Sequence, residues 1–128
     1  MTLTAVETVI RALGQQLGAP AALLPTFGCN EDYARPEVRV DGAGYHFVVV
    51  ERGRELDHRV FQQLEELLFT VFAGVTFAMA SHYELHHRVA GQDSRILLFA
   101  RQLELLAQLD ADFANRLRPR YRQLLADA

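Results

Sequence analysis

The run Leu67–Ser81, LLFTVFAGVTFAMAS, holds fifteen residues without a single charge. A helix built from it has no polar side to offer water, so other parts of the chain must cover it. A membrane span needs about 20 apolar residues. This run is shorter, with Glu65 and Glu66 before it and His82 after it. The expectation is therefore the central helix of a soluble core, with no membrane partner. Val60, Leu64, Leu67, Leu68, Val71, Phe72, Val75 and Met79 recur at helical spacing and predict a helix over about 56–89. Gly74 could bend it, since glycine costs about 1 kcal/mol inside a helix.

Around that helix the pattern changes twice. At the start, Thr4 with Glu7 fits a capping box, and Val6, Ile10, Leu13 and Leu17 follow at helical spacing until Gly18 and Pro20. Residues 20–36, punctuated by Pro20, Pro25, Gly28 and Pro36, read as an ordered loop. EVRVD and YHFVVVE then read as strands, with turn chemistry in Asp41-Gly42-Ala43-Gly44. An antiparallel hairpin follows, and LLPTF could add a third strand. Beyond the central helix, Gly91 suits a C-terminal cap and Asp93 an N-cap. A helix with Ile96, Phe99, Leu103 and Leu106 on one face follows. Asp110 can cap a last helix carrying Phe113, Leu117, Tyr121, Leu124 and Leu125, which Pro119 must kink or restart. The fold class expected is α+β: a small antiparallel hairpin sheet of two or three strands packed on a long helical hairpin, with further helices at each end. The 128 residues, half of them hydrophobic, suggest a single domain.

Several functions are excluded by what the chain lacks. The formal charge is −3, and all thirteen basic residues are arginine, without the basic excess of a nucleic-acid binder. One cysteine, Cys29, permits no internal disulfide and no cysteine-rich zinc site. Walker, dinucleotide and G-x-S-x-G motifs are missing. The N-terminal residues lack a basic flank leading into an apolar run, so the expected location is the cytoplasm.

The stretch with most apparent chemistry is SHYELHHR, residues 81–88. His82 and His86 have the spacing of the H-E-x-x-H metalloprotease motif. The glutamate, however, is two positions after His82, about 200° round a helix from it, and cannot serve a water held by both histidines. His82-Tyr83-Glu84 also matches H-x-E of the zinc deaminases, whose P-C-x-x-C half is missing. No catalytic residue, metal ligand or cofactor is therefore assigned. The apolar stripe, extended in steps of four and three, places His82 and His86 on the core side of the helix end. Glu84 and Arg88 are in register for an i, i+4 ion pair. Together with Asp93, Arg95 and Gln102 they are expected to form a structural polar network; the role of His87 stays open.

Three stretches, YHFVVVERG (45–53), ELLFTVFAGVTFAMASHYELHHR (66–88) and GQDSRILLFARQLELL (91–106), resemble the immunity protein 63 family of bacterial polymorphic toxin systems. The resemblance implies an α+β cytoplasmic protein, not an enzyme, that binds and neutralises a cognate toxin domain. Thr70, Ile96 and Phe113 stand where that pattern favours Trp, Arg and Trp. Tyr33, Arg35, Tyr45 and Arg54 are candidate partner-binding residues, being aromatic or arginine side chains around the hairpin and its loops. Two other readings compete: a metal-dependent enzyme using His82 and His86, and an oligomeric helical scaffold, in its simplest form a homodimer.

Overall fold

The computed structural model describes residues 1–127. The chain divides into two compact units, Met1–Val71 and Phe72–Ala128.

The first unit opens with α1, Leu3–Leu17. Its N-cap is Thr2, whose hydroxyl accepts from the Ala5 N–H at 3.1 Å, so the helix starts before the Thr4–Glu7 box that the sequence suggests. Val6, Ile10, Gly14 and Leu17 form the buried face. Gly14 lets Leu24 pack closely there, since a Cβ would meet both methyls of Leu24 at 3.0 Å and the leucine would have to shift. Four strands follow: β1 Thr26–Phe27, β2 Glu37–Asp41, β3 Gly44–Glu51 and β4 Arg54–Phe61, in the order β1-β2-β3-β4. The β1–β2 pairing is parallel and the other two are antiparallel, giving an open mixed sheet. The third strand suggested by LLPTF is β1.

The fourth strand corrects the expectation of two or three. The helical stripe through Val60 and Leu64 predicts the long helix from about residue 56, but RELDHRVF, residues 54–61, forms β4. In the structure Arg52 and Gly53 both adopt left-handed backbone (φ 53° and 74°) and turn the chain back on itself between Glu51 and Arg54. That two-residue geometry matches strand twist and makes a tight hairpin. After a bulge at Leu56, which brings Glu55 onto the face of His58, His58 and Val60 alternate with Asp57 and Arg59, a period of two rather than 3.6. The long helix α2 accordingly begins at Leu64 and ends at His86. It is the one helix among the described residues that is long and apolar enough, by length and composition, to cross a membrane.

The second unit holds the rest of α2 with α3, Ser94–Leu109, and α4, Ala111–Ala126. Asp93 and Asp110 cap the last two helices, accepting from the Arg95 and Asp112 N–H groups at 3.0 and 2.9 Å. Helix α4 continues through Pro119 without restarting; a proline removes one backbone donor, and the neighbouring hydrogen bonds sustain the turn. The core of this unit includes Phe72, Val75, Ala80, Phe99, Leu106 and Phe113.

Candidate partner-binding surface

The β3–β4 turn lies against the loop of residues 30–34. Tyr33 forms a bridge with Glu51, the Ala34 N–H donates to the Val50 carbonyl at 2.9 Å, and the Arg52 N–H donates to the Asp32 carbonyl at 3.3 Å. The Asp32 carboxylate accepts from the Gly53 N–H at 2.6 Å, and the Asn30 side chain accepts from the Asp32 N–H at 2.7 Å. The loop thus continues the edge of β2 past its end and clasps the hairpin tip. Asp32, Ala34 and Arg52 have φ of 60°, 63° and 53°, and among the described residues they are the non-glycine residues with positive φ. Such backbone costs about 1 kcal/mol or more for a residue with a Cβ. All three strained positions fall on one surface. Tyr33, 84% exposed, stands there with Arg52 and Arg54.

The four candidate contact residues therefore separate. Tyr33 and Arg54 come together at the tip, because Glu51 pairs with both. Arg35 turns inward: its guanidinium donates to the Leu24 carbonyl at 2.8 Å, the Ala21 carbonyl at 3.1 Å and Glu31 at 3.2 Å. Tyr45 lies at the other end of β3, paired with Val40 and Phe61, and its hydroxyl accepts from the Met1 ammonium at 3.3 Å. Arg52 was missed, because Arg-Gly is not among the dipeptides that announce such a turn.

A second cluster was also missed. The Asp41 carboxylate lies 2.7 Å from His46 Nε2, His46 Nδ1 lies 2.9 Å from His58 Nε2, and His58 Nδ1 lies 3.0 Å from Glu55. Next to it, Arg39 makes two bonds of 3.0 and 3.1 Å to Glu37, a carboxylate 3% exposed. Sequence spacing could not find this line, since it needs the β2–β3–β4 register.

SHYELHHR resolves differently from its reading as a sequence. His82 and His86 are exposed, with ring centroids 4.4 Å apart, and Glu84, 4% exposed, is the buried residue. Among the described residues no group of three or more His, Cys, Asp or Glu is placed to hold a metal ion. The buried line does not follow the 4-3-4-3 stripe: it runs Phe72, Thr76, Ala80, Glu84, in steps of four that carry it round the helix away from His82 and His86. Arg88 caps that carboxylate with bonds of 3.0 and 2.8 Å and holds it below the usual carboxylate range, against the opposing effect of desolvation. Tyr83 stacks on His87 at 4.0 Å, and the Arg101 guanidinium sits 4.5 Å over the Tyr83 ring. His87 Nδ1 lies 2.8 Å from the Tyr83 carbonyl.

The five residues expected as one network form three. Besides Glu84–Arg88, Arg95 pairs with its neighbour Asp93 at 2.8 Å, holding that carboxyl low. Gln102, 1% exposed, donates to the Ala73 carbonyl at 2.9 Å and to the Thr76 hydroxyl at 3.3 Å, and accepts from the Tyr121 hydroxyl. It links α2, α3 and α4.

The hairpin tip thus gathers left-handed backbone, an exposed tyrosine and Arg52 and Arg54 beside the acidic Asp32 and Glu51. The chain belongs to the Immunity protein 63 family, whose pattern it matches over residues 41–123, 83 of its 128 residues. The match includes the β3–β4 hairpin, α2, α3 and α4 as far as residue 123; Tyr33 and Arg35 lie before it. No curated protein and no solved structure matches the chain.

Proposed function

We propose that this chain is a non-catalytic immunity protein that binds the toxin domain of a polymorphic toxin system in the cytoplasm and masks it. Family membership carries this reading. The contact surface proposed is the β3–β4 tip with its clasping loop, with Tyr33, Arg52 and Arg54 as anchors. Tyrosine and arginine dominate interface hot spots, because each presents a large surface with directional polar groups. The left-handed residues support this choice: backbone strain concentrates where a loop is held in shape for a task. A loop already ordered before encounter loses little entropy on binding.

The test is co-expression with the toxin domain encoded beside this chain's gene. Growth should be rescued, the two proteins should co-purify, and Tyr33→Ala with Arg54→Ala should abolish both. No rescue and no complex, with the toxin shown to be active alone, would exclude the immunity reading. Rescue by the double variant would move the contact surface elsewhere.

A further inference from the structure

The line Asp41, His46, His58, Glu55 crosses three strands, and its proton count is informative. Its three contacts need three ring protons, because an ionised carboxylate only accepts. Two neutral imidazoles carry two protons between them. If both sit on the outward nitrogens, facing the carboxylates, then His46 Nδ1 and His58 Nε2 oppose two lone pairs across 2.9 Å. Four ring protons would instead oppose two N–H groups. Only three protons close every contact. We propose that His46 and His58 hold one proton between them as a unit, and that this shared proton locks β4 to β3 and, through Asp41, to β2.

The surroundings support that occupancy. Arg39 is the cross-strand neighbour of His46 on β2, and it is already engaged by Glu37. Asp41 on β2 and Glu55 on β4 touch the pair at its two ends; Asp57 and Arg59 alternate to the other side of the sheet. Three carboxylates and one guanidinium leave a local charge of −2 before the shared proton is counted, a field that favours a cation. The hydrogen bond from His46, followed by the Ala43 N–H, holds the Asp41 carboxyl below its ordinary range, so its negative end of the line persists. His46 is buried, so water does not relieve an opposition of lone pairs there.

The sign of the linkage follows from the count. The folded pair carries three ring protons. Two unfolded histidines carry four in acid and two in base, changing over near pH 6.5. Stability tied to the pair therefore falls as pH rises above that window, because the folded state binds the extra proton. It falls in acid as well, because the unfolded state then binds more.

The isolated protein suffices for the test. Imidazole nitrogen NMR across the histidine range should show His46 and His58 titrating together in two steps, with a plateau at one shared proton. Two independent single-step curves, ending in two neutral rings below neutral pH, would overturn the proposal. Amide exchange in β4, corrected for its intrinsic pH dependence, should quicken several-fold above the plateau. His58→Gln keeps a donor and an acceptor but cannot hold the proton, so this quickening should vanish. An unchanged pH profile in His58→Gln would equally overturn it. Neither measurement needs a partner, so the outcome is independent of the toxin-binding reading.

Discussion

Each unit of the molecule contains a line of side-chain hydrogen bonds across three elements, and the two lines behave differently. In the helical unit Thr76, Gln102 and Tyr121 are neutral and buried, and Tyr121 also stacks on Phe99 at 3.8 Å. Burial pushes the Tyr121 hydroxyl above its ordinary range, so it stays a donor throughout the physiological range. Among the described residues every buried side-chain polar atom has a partner. In the sheet unit the line is built of ionisable groups, and its two carboxylates are more than half exposed. A neutral line in a dry place specifies one arrangement under all ordinary conditions. An ionisable line in a half-wet place holds only at the right proton count. Rigidity and responsiveness thus come from the same bond type in different surroundings.

The sharpest way to break this contrast is Gln102→Ala. It should lower unfolding free energy by about 3 kcal/mol, since it opens a cavity and strands the Tyr121 hydroxyl, while Thr76 keeps its bond to the Phe72 carbonyl. Urea denaturation at several pH values would measure the loss, which should not vary between neutral and mildly alkaline pH. A stability within error of the parent would show that the knot is dispensable.

Next in size is Tyr33→Ala. Stability should stay within about 0.5 kcal/mol, because the ring is solvated. Affinity for the toxin domain should fall roughly 30-fold if the ring is a hot spot. Calorimetric titration against the purified toxin domain separates the two effects, and an unchanged affinity removes Tyr33 from the interface.

Arg52→Asn tests whether the strained tip serves binding. Asparagine tolerates left-handed backbone, so thermal unfolding should show a gain of about 0.5 to 1 kcal/mol, while toxin affinity drops with the loss of the guanidinium. Stabilisation with full affinity would leave Arg52 as a turn residue and nothing more.

The smallest effect expected is in acid. Asp93 and Glu84 have carboxyls held low by Arg95 and Arg88. Their contribution is present above the ordinary carboxylate range and is lost as pH falls through the lowered folded values. Chemical denaturation from neutral pH into that range should show a gradual decline that Arg95→Gln flattens. A steeper decline in the variant would contradict the assignment.

Much of this was legible in the residues, where the physics is local. The caps at Asp93 and Asp110 need only the next two backbone N–H groups, and the buried face of α1 needs only its own periodicity. The family resemblance was legible for a similar reason, since it rests on long continuous stretches. Glu84 shows where local reasoning fails: the apolar stripe leads on to His82 and His86, whereas burial follows Phe72, Thr76 and Ala80 to Glu84, and packing rather than periodicity decides which side is covered. β4 shows another failure, since its alternation and the helical stripe share Val60, and only the left-handed Arg52 decides between them.

By itself, then, the sequence determined the element types with strong patterns, the helix caps and the family. These follow from neighbours in the chain, whose interactions do not depend on how the rest folds. The tertiary structure alone decided which residues meet: Tyr33 with the Arg52 turn, His46 with His58, and Gln102 with Tyr121. Those pairings depend on strand register and on which helix faces are buried, and no short stretch of chain encodes either.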